Sequence, residues 1–192
     1  MKFQSHPEVE GSHAFLSASS YSWIRYDADQ IRKRVRTQMQ HVLGTRLHAL
    51  AAELISMNQK LADTNQTLNM YVNDAIGFRM RPEVVLFATR NAFGTADAIG
   101  FRKEPNFDKM VLRIHDLKTG VSKVSVNQLE IYAAFFCIEY DIHPRDITVL
   151  LRIYQNDDFI EYEAEPTDIM YIIDQIQTFD RVIEETRVEA FA

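Results

Sequence analysis

The chain has 192 residues, 46% of them hydrophobic and 25% charged, with a formal net charge of −6. That is the size and composition of one soluble globular domain, with no apolar run approaching the ~18 residues of a membrane-spanning helix and no signal-like apolar stretch in Met1–Glu8. Cys137 is the only cysteine, which excludes an internal disulfide, a thiolate zinc site and a cysteine-ligated iron–sulfur cluster. A cytoplasmic protein without membrane contact is expected.

Residues 1–15 read as a flexible N-terminal segment ahead of a single domain, 16–192. Leu16-Ser17-Ala18-Ser19-Ser20 reads as a helix start, because serine caps well, and that helix would carry Tyr21, Trp23, Ile24 and Tyr26. A longer helix is expected over about 28–60, where Ile31, Val35, Met39, Val42 and Leu43 recur at helical spacing and Leu47, Leu50 and Leu54 continue them. Gly44 interrupts this pattern and marks a close approach or a bend. Residues 61–83, polar and rich in asparagine, read as a helix with a connecting loop. The pattern then changes to strands at 84–89 and 94–101, joined by a short turn near Asn91, and at 110–116, closed by Thr119-Gly120. A helix over about 127–140, strands at 147–154 and 159–162, and a helix over about 167–187 complete the chain. The fold class is α/β, a mixed central sheet with flanking helices.

Charge is unevenly spread. Residues 23–60 carry +4, residues 61–127 carry +2 and residues 128–192 carry −11. Phosphate binding needs a local field rather than a global one, and Arg32-Lys33-Arg34-x-Arg36 is the densest basic stretch. It reads either as a solvated helix face or as a phosphate contact. The acidic last third reads as solvated surface or as the site of a protein partner.

The chemistry-bearing residues sit near strand ends. Asp116 and Lys118 lie two apart and project from one face, while Leu117 points to the core. Such a pair is costly if buried without partners and reasonable if the face opens on a cleft. Asp97 lies on the preceding strand, and antiparallel pairing would bring it near Asp116. Two close carboxylates repel and raise a pKa unless a divalent cation sits between them, and hard oxygen ligands suit Mg²⁺ or Mn²⁺. His48 would add a nitrogen ligand, and Glu53, nearly on the same helical side, a carboxylate or a hold on water. Gln128 and Tyr132, four apart, share one helix face and would line the same cleft. Taken singly, each residue has a plainer reading: a surface ion pair, a structural histidine, a polar helix face, helix caps at Ser17 and Ser19.

In order and spacing, the set resembles the PD-(D/E)XK nuclease superfamily, most of all its RecB-type exonuclease branch. Leu16-Ser17-Ala18-Ser19 is similar to the Leu-Ser-x-Ser segment of that branch. Gly44-Thr45-Arg46-Leu47-His48 is similar to its Gly-x-x-x-His helix and Gly94-Thr95-Ala96-Asp97 to its Gly-x-x-Asp strand. Asp116-Leu117-Lys118-Thr119-Gly120 and Gln128-Leu129-Glu130-Ile131-Tyr132 correspond to the motifs that follow. The likeness covers about residues 16–135.

The resemblance implies a restriction-endonuclease-like core and metal-dependent hydrolysis of DNA phosphodiester bonds, exonucleolytic by preference, in recombination, repair or phage DNA processing. It points to a small phage or mobile-element member without the four-cysteine cluster that several relatives hold. Mg²⁺ or Mn²⁺ would be held by His48, Asp97, Asp116 and the backbone carbonyl of Leu117. Asp97, Asp116 and Lys118 would form the catalytic set, Lys118 orienting water or stabilising developing charge. Gln128, Tyr132, Ser19, Arg32, Arg34 and Arg36 would contact substrate, with Glu53 in support. The implied partners are DNA and a recombinase, single-strand-binding protein or helicase, and a homo-oligomer is one way to gather basic surface. The alternative is a non-catalytic binding module of the same fold, or a partner-regulated subunit of a recombination or replication complex.

Overall fold

The computed structural model of the chain describes residues 4–120 and 125–190. Two compact units are present, Met1–Val42 and Leu43–Ala192. The unit that carries the sheet thus begins at Leu43, and residues 16–42, taken from the sequence as part of one domain, belong to the other.

In the first unit the segment Ala18–Arg25 is a 3-10 helix with a break at Ser20, not the α-helix expected there. Ser17 makes no cap. Its hydroxyl bonds that of Ser19 at 2.7 Å, and its carbonyl accepts from the Trp23 indole at 2.8 Å. Helix α1 (Ala28–Ser56) starts on a reciprocal cap. The Gln30 amide donates to Asp27 Oδ1 and the Asp27 amide to Gln30 Oε1, at 2.8 and 2.9 Å, so two orphan donors are satisfied together. The helix stops short of residue 60 because Asn58 turns left-handed at φ 55°, a conformation asparagine tolerates at helix ends.

In the second unit, α2 (Thr67–Gly77) is the helix anticipated within 61–83. It leads to a five-stranded sheet of β1 (Arg81–Thr89), β2 (Ala92–Lys103), β3 (Met110–Leu117), β4 (Ile147–Gln155) and β5 (Asp158–Glu163). The strands lie in sequence order. All neighbours are antiparallel except β3 and β4. That parallel pair needs a crossover, and α3 (Asn127–Glu139) supplies it. Asn156 and Asp157, both left-handed, make the tight turn between β4 and β5. Helix α4 (Pro166–Ala190) follows. No described helix is long and apolar enough to cross a membrane.

The sheet is covered on both faces. Leu86, Leu112, Ile114, Leu151 and Ile153 pack with Leu129 and Ala133 of α3 and Ile169 of α4. On the other face Ala98, Leu117 and Tyr154 pack with Tyr71, Val72 and Ala75 of α2 and with Ala51, Leu54 and Ile55 of α1. β3 is central and its last seven residues are all buried, as a doubly covered strand must be. Two acidic or titratable residues, His115 and Asp116, therefore sit in the core at its C-terminal end.

Cys137 lies on α3 in the first of these cores. Burial pushes its thiol up to about 11. At pH 8 a thiol reagent is therefore expected to label it only as fast as the protein unfolds, and promptly in denaturant. Rapid labelling of the native protein would contradict the packing described.

Candidate active site

Asp116 is 4% exposed. Its Oδ1 accepts from Lys118 Nζ at 3.0 Å, and its buried Oδ2 has no hydrogen-bond partner among the described residues. Burial first, and then the Asp97 charge, raise its carboxyl above the usual aspartate range, against the pull of Lys118. A buried carboxylate oxygen without a partner is costly, and it is relieved by a proton or a cation.

Asp97 sits where β2 breaks its alternation. Ala96 packs in the core beneath α3, whereas Ala98 packs against α2. A regular pleat would place both on one face, so the alternation breaks at Asp97, although the pairing register is the same on either side. Opposite Asp97, between the pairs Pro82–Ala98 and Val84–Ala96, lies Glu83, with φ 50°. A glutamate in the left-handed region inside a strand is uncommon and strained. The distortion turns both carboxylates toward α1.

There they meet His48. Its Nδ1 lies 3.3 Å from Asp97 Oδ2, and that oxygen also accepts the Leu117 amide at 3.0 Å. Asp97 thereby pins the backbone between Asp116 and Lys118. His48, Glu83 and Asp97 each offer one ligand atom within 4.8 Å of the others. The hydrogen bond to Asp97 raises the His48 pKa despite burial, and the Asp116 and Glu83 charges add to it. Glu83 is itself raised, by burial and then by Asp97. Three carboxylates thus face one imidazole and one ammonium.

Lys118 is held from two sides. Its Nζ donates to Asp116 and, at 3.0 Å, to Gln128 Oε1, and Gln128 Nε2 donates in turn to the Tyr132 hydroxyl at 3.3 Å. The glycines between these residues are points of close approach. A Cβ on Gly94 would lie 3.0 Å from the Tyr132 ring, and one on Gly44 would lie 2.8 Å from Thr119 Oγ1. Gly44 lets α1 pass against the loop after β3 and so sets His48, one helical turn on, over Asp97. Lys118 and Thr119 also line a cleft of about 370 Å³ with Thr67 and Asn156.

The structure brings together His48, Asp97, Asp116, Lys118, Gln128 and Tyr132. It corrects the assignment of Glu53, which is exposed and lies outside the His48 group. Five residues carry a helix about 140° past a full turn, too far to share a side with His48. Glu83 takes that place. The sequence does carry a signal for it: counting back along the β1–β2 hairpin from the Phe87–Phe93 pair puts Glu83 opposite Asp97.

Ser19, Arg32, Arg34 and Arg36 belong to the first unit. There Ser19, Lys33 and Arg34 line a cleft of about 750 Å³ with His13, Phe15 and Tyr26. The Arg34 guanidinium lies over the Phe15 and Tyr26 rings, 5.4 and 5.9 Å from their centroids. Arg32 pairs with Asp29 at 2.5 Å and, like Arg36, does not line this cleft.

Compared with protein-family models, curated proteins and solved structures, the chain matches none.

Proposed function

We propose that the chain is a metal-dependent nuclease of the PD-(D/E)XK kind, hydrolysing phosphodiester bonds in DNA. The observation that carries this reading is Asp116, a buried carboxylate with one oxygen unpartnered among the described residues, beside the His48–Glu83–Asp97 group and under the ammonium of Lys118. One imidazole and several carboxylate oxygens are a donor set that fits Mg²⁺ or Mn²⁺. His48, Glu83, Asp97 and Asp116 would hold the ion, with the Leu117 carbonyl that the resemblance adds. Once bound, such an ion supplies positive charge to a phosphate oxygen and lowers the pKa of water.

The chain's own residues do the rest. Lys118 has three N–H donors, and Asp116 and Gln128 take up two of them. The third is left to hold water or a non-bridging phosphate oxygen as negative charge develops there. Gln128 and Tyr132 position Lys118 rather than react. Asp97 holds the backbone that carries both Asp116 and Lys118. Arg34 and Lys33 of the first unit would contact phosphate there, which fixes position without reading sequence. A restriction-endonuclease-like core is part of the same proposal, supported by the β1–β2–β3 meander followed by α3 and a parallel β4.

Calorimetric titration with Mn²⁺ tests the metal site directly. The wild-type chain is expected to bind, and Asp97→Ala and Asp116→Ala to bind at least about 10-fold more weakly. Absence of binding by the wild type, or equal binding by both variants, would remove the site.

A further inference from the structure

Each unit leaves an apolar surface uncovered, and the two surfaces are opposite in charge. In Leu43–Ala192, a groove of about 420 Å³ runs between α3, α4 and the β1–β2 hairpin, lined by Phe93, Ile131, Phe135, Ile172, Ile176 and Phe179. Phe93 is 60% and Phe179 57% exposed. Contiguous apolar surface of this kind marks an interaction site more often than scattered exposed residues do. Its rim is acidic. Asp180 accepts from Thr89 and Asn91, and Glu184 accepts from Asn91 and pairs with Arg187 at 2.7 Å, so both carboxylates are held at the groove edge. Helix α4 as a whole carries six Asp/Glu against two Lys/Arg.

In Met1–Val42, the first half of α1 has two faces. Gln30, Lys33, Arg34, Thr37 and His41 line the aromatic cleft. The opposite face shows Val35, Met39 and Val42, exposed by 37%, 66% and 48%. Their spacing of four and three makes one apolar stripe, flanked by Arg36 and by Arg32, which pairs with Asp29 at 2.5 Å. An apolar stripe at i, i+4 and i+7 is what a helix presents to a hydrophobic groove.

We infer that the chain self-associates head to tail, the Val35–Met39–Val42 face of one copy seating in the Phe93–Phe179 groove of a second. Charge complementarity chooses this occupant: Arg32 and Arg36 meet an acidic rim, whereas a groove-to-groove contact would press two acidic α4 helices together. Because the two surfaces differ, the contact is heterologous. It closes into a ring or continues as a filament.

Sedimentation of the full chain decides it, using Met39→Glu and Phe179→Glu, both at exposed positions and checked for wild-type circular dichroism. Should either fail that check, Val35→Glu or Ile183→Glu replaces it on the same surface. The wild type is expected to associate with concentration, and less so near 1 M salt, where charges are screened beyond ~3 Å. Each variant alone is expected to be monomeric. An equimolar mixture is expected to give a one-to-one dimer and nothing larger, because one intact groove then meets one intact helix face. A wild type monomeric at high micromolar concentration in low salt would overturn the inference, as would association unchanged by either substitution, or a mixture that stays monomeric. Self-association of this kind is independent of the cleavage chemistry, so Lys118→Ala should sediment as the wild type does.

Discussion

Lys118→Ala is expected to slow DNA cleavage by about 100- to 1,000-fold, the loss that follows removal of one pre-positioned donor to developing charge. The ammonium is fixed by Asp116 and Gln128 at 3.0 Å each, so it faces the reacting region with little reorganisation. The side chain is one-third exposed, so truncation leaves no large cavity and the fold should persist. Metal binding should be retained or strengthened, since Asp116 loses a competing cation. That pattern, lost turnover with intact Mn²⁺ affinity, separates Lys118 from the ligands, whose loss removes both. Gln128→Ala should fall between, because Lys118 keeps its Asp116 partner. Single-turnover cleavage beside calorimetry reads both quantities, and a Lys118→Ala protein as fast as wild type would remove Lys118 from the mechanism.

Arg113→Ala is expected to destabilise the protein by about 3–5 kcal/mol, the range for breaking a buried ion pair from one side. Arg113 is 7% exposed and grips Glu104 through two parallel bonds, 2.7 and 2.8 Å long. Its guanidinium also lies 4.0 Å from the centre of the Phe78 ring. Without it, the Glu104 carboxylate stays buried, and among the described residues Arg102, at 3.7 Å, is the cation left beside it. The pair with Arg113 holds the Glu104 carboxyl below the usual range. Its contribution is therefore fully present above the unfolded glutamate pKa and is lost as pH falls through the folded one, so the gap between wild type and variant should narrow in acid. The apolar double variant Arg113→Met/Glu104→Leu should recover much of the loss, because no buried carboxylate is then left unpaired: Glu161, which Arg113 also reaches at 3.4 Å, keeps Arg152. Denaturant unfolding at neutral and acidic pH measures all of this. A loss below about 1 kcal/mol would place the pair in the class of solvent-screened surface bridges.

Much of this fold is written in local patterns. The strands at 84–89, 110–116 and 147–154 stand out because they are rich in β-branched and large apolar residues, and each falls inside an observed strand. Helical spacing finds α1 as well, although Val35, Met39 and Val42 of that pattern are exposed. What escapes depends on contacts between elements. β1 begins at Arg81 rather than Val84, since Pro82 looks like a breaker until β2 is laid beside it. That three-residue extension is what hides Glu83. The break in alternation at Asp97 is likewise invisible in one strand alone, because it depends on which layer Ala96 and Ala98 each pack against. Glu53 fails for a simpler reason, helical geometry, and Ser17 because its hydroxyl has a nearer partner than the helix amides. Gly44 and Gly94 show the reverse. Their positions ahead of His48 and Asp97 are plain in the sequence, and the steric cause is found only in Thr119 and Tyr132.

Cleavage is read by incubating the chain with end-labelled linear and closed circular DNA, single- and double-stranded, in Mg²⁺, Mn²⁺ or EDTA, beside Asp116→Asn. Degradation is expected to require the metal, to be abolished by EDTA and by the substitution, and to favour linear over circular substrate. Cleavage that persists in EDTA or in Asp116→Asn, or a folded protein that binds Mn²⁺ yet cuts none of these DNAs, would contradict the proposed nuclease activity.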